Sequence, residues 1–154
     1  MATEKNSKKE ETSKSNTIKV TARWIDEMQN SGKAVIESFL ARGIPPTPGY
    51  WIGRCLDVIE PIGRRINKEK MKIAEDFALL DDQGKKLKGK QGGVQVDPKK
   101  YQEFMEALDP IFDAVEDLGF NPISIDLEEL EEKNVMPAPG EWKMVIPLLK
   151  DLVQ

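Results

Sequence analysis

The sequence predicts a mainly α-helical protein: a long antiparallel helical hairpin with a small β-hairpin at its tip, plus N- and C-terminal helices. Three observations carry that expectation. Between 48 and 80 a large aliphatic residue returns every seventh position, as Ile52, Ile59, Ile66, Ile73 and Leu80. Between 98 and 118 a second seam runs through Tyr101, Leu108 and Val115, with Phe104, Ile111 and Leu118 at the next heptad position. Between the two lies a compact connection rich in lysine and glycine. Spacings of three and four residues place side chains on one face of a helix. Two such faces joined by a compact connection are expected to pair antiparallel.

Composition narrows the function classes. A chain of 154 residues is one domain by length. With 39% hydrophobic and 32% charged residues it is polar for a compact globule and ordinary for an elongated helical protein. The net charge of −4 argues against a general nucleic-acid binder. Histidine is missing, which removes Ser-His and Cys-His nucleophiles and His-ligated zinc. The lone Cys55 excludes an intrachain disulfide and thiolate zinc sites. No apolar run approaches the ~18 residues of a membrane span, and the polar N-terminus does not read as a signal peptide. A soluble, intracellular protein without cofactor or metal is expected.

Taken in order, residues 1–17 are expected to form a disordered tail and 18–154 a single helical domain. The first sixteen residues are almost all Lys, Glu, Ser, Thr and Asn, which cannot bury enough surface to offset ordering. The stretch 17–22 alternates, so it is either a short strand or the lead-in to a helix capped by Thr21. Trp24, Ile25 and Met28 repeat at helical spacing until Asn30, Ser31 and Gly32 interrupt. Ser31 is expected to cap a second helical piece carrying Val35, Ile36, Phe39 and Leu40, which Gly43 terminates. Prolines 45, 46 and 48 form a stiff corner.

The first long helix is expected to begin with Thr47 as N-cap and Pro48 in its first turn, and to kink at Pro61. Gly84 ends the following turn, and Val94, Gln95 and Val96 supply a β pattern after Gly92 and Gly93. Asp97 and Pro98 open the second helix, which Gly119 is expected to close. Ile123, Ile125 and Leu127 alternate as a half-buried strand would. An acidic helical turn follows at 128–132. After a Pro-rich joint, a last helix is expected to put Trp142, Val145, Ile146, Leu149, Leu152 and Val153 on one face.

The run PPTPGYWIGRCLDVIEPI, the Lys/Glu-rich helix, DDQGK, VDPKKYQEFMEAL and ISIDLEEL together resemble a family of small tailed-bacteriophage proteins of unknown function. The resemblance spans about 34–153. It implies a phage origin, a helix–hairpin–helix accessory protein, and a place in the host cytoplasm or the virion. That family has no established catalytic residues, so it implies none here.

Charge segregation is the sharpest functional clue. Eleven carboxylates fall between Glu103 and Glu132 with no Lys or Arg among them. Six lysines face one aspartate between Lys85 and Lys100. An acidic surface including Asp109, Asp113, Glu116 and Asp117 can bind a basic partner or imitate a phosphate backbone. The plainer reading is a solvated face paired with Arg64, Arg65, Lys68, Lys70 and Lys72. Asp113, Glu116 and Asp117 have the spacing for a hard metal, but nothing there dries a site or binds a substrate. Lys85, Lys86 and Lys88 can touch phosphate or an acidic partner, or simply protect a strand edge. Tyr50 and Trp51 are either an exposed docking pair or a corner packed on Trp142.

The expected function is therefore non-enzymatic: a phage accessory protein making protein–protein contacts in virion or tail assembly. The alternative is an inhibitor of a host defence or nucleic-acid enzyme that uses the acidic surface as a decoy. The partner is a protein, either a virion component or a host enzyme, and the helices could also associate into a homo-oligomer. The composition argues against nucleic acid and membrane as partners.

Overall fold

Alternation at 17–22 has a direct structural consequence. Strand β1 (Lys19–Thr21) sends Ile18, Val20 and Ala22 inward and Lys19 and Thr21 outward. The computed structural model describes residues 16–90 and 92–150. Most of the expected tail, together with Leu152 and Val153, lies outside the described residues. β1 pairs antiparallel with β2 (Val115–Asp117), Val20 opposite Glu116. Flanking bonds from Ile18 N–H to Phe120 O (2.7 Å) and Ala22 N–H to Ala114 O (2.8 Å) extend the ladder.

Both alternatives for that stretch are realised, because the Thr21 hydroxyl then caps α1 (Ala22–Glu27) by accepting from Trp24 N–H. The chain does not break at Asn30, Ser31 and Gly32. It widens into a π turn (Met28–Gly32), in which Lys33 N–H reaches back five residues to Met28 O. Ser31 donates to Glu27 O and caps nothing. A side chain at position 32 would collide with Met144 Sδ, so glycine is a condition for the closeness of this turn to the C-terminal segment. α2 (Lys33–Leu40) continues the same rod.

α3 (Pro46–Asp76) is the longest element, with 31 residues. It starts two residues earlier than expected, with Pro45 as N-cap and Pro46 at the first position. It runs unbroken through Pro61, whose ring lies on the solvent side. There, water can satisfy the carbonyl that proline leaves without a donor. Ile52, Cys55, Ile59, Gly63 and Ile66 form its buried stripe. α1, α3 and α4 (Tyr101–Phe112) are in mutual contact, and α2 packs on α6 (Pro139–Val145).

The second helix is shorter than the seam implied. It ends at Phe112 rather than Leu118. Ala114 and Val115 leave the helix because β1 offers a hydrogen-bonding partner, which turns Val115 outward to 64% exposure. Gly119, at φ +76°, follows the strand rather than capping the helix. The expected strand at 123–127 is also corrected. Ile123 alone makes a bridge, parallel to Leu149, and Asp126 caps α5 (Leu127–Glu132). α6 gives way after Val145 to a 3-10 turn (Ile146–Leu148) that accommodates Pro147.

The segment between α3 and α4 contains isolated antiparallel bridges, Ala78 with Val96, Leu80 with Lys86 and Lys88 with Val94, in place of one hairpin. Its backbone bonds repeat every eight residues. Leu79 N–H donates to Gln95 O, Leu87 N–H to Leu79 O, and Gln95 N–H to Leu87 O, at 2.7–2.8 Å. These close a ring of three. A second set shows the same period: Asp81 to Lys85, Gly89 to Gly93 and Asp97 to Phe77. The underlying octads are FALLDDQG, KKLKGKQG and GVQVDPKK. Gly84 and Gly92, at φ +78° and +85°, occupy equivalent turns. The tip is thus a three-cornered cap, and its repeat escapes notice because no residue recurs in all three octads: Leu79 and Leu87, Asp81 and Asp97, Gln83 and Gln91, and Gly84 and Gly92 match only in pairs.

Candidate functional site

The nominated residues fall in three places along α3. At 1.5 Å rise per residue, Trp51 and the end of α3 are separated by roughly 35–40 Å. The aromatic corner and the lysine tip are therefore separate surfaces, with the carboxylates between them.

The carboxylates are engaged within the chain. Arg23 reaches both Asp109 (3.4 Å) and Asp113 (3.5 Å), and its guanidinium lies 4.9 Å from the centre of the Phe112 ring. Arg65 pairs with Glu116. Asp117 accepts from Gly119 N–H (2.9 Å) and the Thr17 hydroxyl (2.7 Å). The Gly119 N–H bond, then the Thr17 bond, hold its carboxyl below the ordinary aspartate range, with help from Lys19. Lys70, expected to face the acidic run, instead bonds Asp26 at 2.9 Å. These carboxylates have partners within the chain, but of the five cations expected there only Arg65 pairs with one of them; Arg23 takes Asp109 and Asp113, and Arg64 bonds Glu60. Among the described residues no three of His, Cys, Asp or Glu converge as a metal site.

Lys85, Lys86 and Lys88 stand exposed on the cap. The turn beneath them is held by Asp81, whose Oδ1 accepts from Gln83 N–H and Lys85 N–H. That Asx-type turn fixes the backbone and leaves the lysine side chains to solvent.

Tyr50 and Trp51, which the sequence left open between an exposed pair and a corner packed on Trp142, are exposed, and the packed corner is not found. They retain 60% and 42% exposure on the first turns of α3. Their rings meet edge to face at 5.2 Å. Trp51 does not stack on Trp142; its neighbour is Phe120, 5.9 Å away and tilted by 59°. Phe120 was legible only as a lone aromatic in a Gly-Phe-Asn-Pro loop, so its partnership with Trp51 gave no signal in the sequence. A cleft of about 460 Å³ opens beside this row, lined by Pro48, Trp51, Phe120, Pro122 and Ser124. An adjoining cleft shares Pro48 and Ser124 and reaches Asp126, Glu128 and Glu129.

Two buried groups complete the inventory. Burial pushes the Cys55 thiol up to about 11, so it is a packing group rather than a nucleophile at neutral pH. Glu141 is 5% exposed, and its Oε1 accepts from Ala138 N–H (3.0 Å) and pairs with Arg42 (2.7 Å). This clamp ties the end of α2 to α6. Its signal was ambiguous, because a glutamate in a first helical turn is usually read as exposed.

Set against known proteins, the chain matches no family model, no curated sequence and no solved structure.

Proposed function

We propose that this protein is non-enzymatic and acts by protein–protein contact, with the corner of Tyr50, Trp51 and Phe120 as its docking surface. One observation carries the reading. Trp51 and Phe120 line an open cleft, Tyr50 packs edge to face on Trp51 beside it, and Trp51 and Tyr50 keep 42% and 60% of their surface in water. Exposed Trp and Tyr beside a concavity are the usual anchors of a protein interface.

On this reading α3 and α4 act as an antiparallel helical arm that holds the lysine cap away from the corner. The layout's resemblance to small tailed-phage proteins gives the setting: assembly of a virion or tail, in the host cytoplasm or on the particle. The decoy alternative is less well supported, because Asp109, Asp113, Glu116 and Asp117 already have partners inside the chain.

The test is co-purification from infected cells. The wild-type chain is expected to travel with particles or with one virion component, and Trp51→Ala to lose that association while keeping its helical circular dichroism. Capture of a basic host enzyme, sensitive to salt and abolished by reversing Asp113, Glu116 and Asp117, would favour the decoy instead.

A further inference from the structure

We infer that the lysine cap is a landing surface for an anionic lipid bilayer, with its ammonium groups on the headgroups and Leu80 and Leu87 dipping between them. The inference goes beyond the docking reading and concerns the opposite end of α3.

Charge at this end departs from that of the whole chain. The net charge is −4, yet residues 77–100 carry six lysines against three aspartates. Lys85, Lys86, Lys88, Lys90, Lys99 and Lys100 are all exposed. Seven cations form ion pairs among the described residues, and none of them lies on the cap. Two of the three aspartates are engaged by the backbone. Asp81 Oδ1 accepts from Gln83 N–H and Lys85 N–H, and Asp97 Oδ1 accepts from Lys99 N–H.

Apolar exposure is the second observation. Leu80 is 56% and Leu87 36% exposed, whereas Ala78 of the same cap is buried. Leu80 is bridged directly to Lys86, and Leu87 stands between Lys86 and Lys88 in the chain. Residues opposite one another in an antiparallel bridge have their Cβ atoms about 5 Å apart. Leu80 therefore has a lysine stem beside it. Such a pair suits a bilayer interface, where the apolar side chain enters the acyl boundary and the lysine keeps its charge among the headgroups.

The kind of cation separates a bilayer from other polyanions. All six are lysine, a residue depleted at protein interfaces. Residues 78–100 contain no aromatic ring on which a base could stack, and Tyr101 follows only at the start of α4. A phosphate backbone also has no use for the leucines. A cluster of four to eight lysines is what the surface potential of an anionic leaflet attracts.

The test is sedimentation of the full chain with lipid vesicles, either pure phosphatidylcholine or phosphatidylcholine mixed with phosphatidylglycerol. Binding to the mixed vesicles is expected at low salt, weaker at high salt, and absent with pure phosphatidylcholine. Combining Lys85→Glu, Lys86→Glu and Lys88→Glu should weaken it at least about a hundred-fold. Combining Leu80→Ser and Leu87→Ser should weaken it about ten-fold. Lys33→Glu, the same charge change on α2, should bind as wild type does. All these side chains are exposed, and melting curves check that the variants fold. Absence of binding to the mixed vesicles at low salt overturns the inference, as does equal binding by the lysine-reversed variant. Equal binding by the leucine variant overturns the insertion of Leu80 and Leu87. Binding of DNA or of polyglutamate at least as tightly as the vesicles, unchanged in the leucine variant, also overturns it, because the occupant is then a nucleic acid or an acidic protein. None of these outcomes bears on the aromatic corner, whose own test is Trp51→Ala.

Discussion

The two halves of α3 carry the same seven-residue spacing and meet opposite fates. In the half next to the corner, Ile52, Ile59 and Ile66 are at most 1% exposed. In the outer half, Ile73 is only partly buried, Met71 is 48% exposed, and Leu80, next in the series but beyond the helix end, is 56% exposed. α3 is in contact with α1, and its buried stripe joins one apolar cluster with Ile25, Phe39 and Leu148. The outer half runs out to the cap, where Tyr101 and Met105 of α4 are themselves 56% and 38% exposed. Periodicity therefore specifies a face of a helix, while burial depends on how many other elements reach that face.

The largest effect expected from this contrast is on the core. Ile59→Ala should cost about 2–5 kcal/mol of unfolding free energy, whereas Ile73→Ala should cost clearly less, because a partly buried side chain leaves no sealed cavity. Urea unfolding of the two variants measures both. Equal losses would mean that the outer half is as tightly enclosed as the inner one.

Glycines sharpen the comparison further. A Cβ at position 63 would sit 2.4 Å from Gln29 Cγ, where α3 meets the π turn. A Cβ at position 53 would meet nothing within 4 Å. Gly63→Ala is therefore expected to destabilise by about 1–3 kcal/mol through overpacking. Gly53→Ala should stabilise by up to about 1 kcal/mol, since alanine is the better helix former. Opposite signs in thermal melts of the two variants are the criterion.

At the cap, Gly84→Ala and Gly92→Ala force a side chain into positive φ, at about 1–2 kcal/mol each. The cap is remote from the core, so the strain is expected to appear as faster amide exchange at Leu79, Leu87 and Gln95, with the exchange of Ile59 unchanged. Uniformly faster exchange throughout the chain would show instead that cap and core unfold as one unit.

What the sequence made legible follows the same division. The mainly helical class, Thr21 as a cap and the buried inner seam all rest on local signals, periodicity and capping chemistry, whereas the same signals left Tyr50 and Trp51 open between exposure and a corner packed on Trp142. The early end of α4 was not legible, because it depends on β1, almost a hundred residues away in sequence, drawing Val115 into a ladder. Phe120 beside Trp51 and Arg42 beside Glu141 were hidden for the same reason. The octads of the cap were legible in principle, but they share hydrogen-bond geometry more than residue identity.

The smallest expected effect concerns the sheet that redirects β2. Asp117 has its carboxyl held below the ordinary value near 3.8 by the Gly119 N–H, then the Thr17 hydroxyl. A group with a lowered folded-state value contributes stability above its unfolded value, and that contribution disappears as pH falls through the folded one. Asp117→Asn should therefore lower the melting temperature slightly at pH 7, and the gap to wild type should close at acid pH, below the ordinary aspartate value. The carboxylate is exposed, so solvent screening keeps the shift small. Melting curves between pH 2 and pH 7 provide the measurement. A gap that persists unchanged at the acid end would mean that the variant acts by disturbing the pairing of Lys19 with position 117, and not by removing a negative charge.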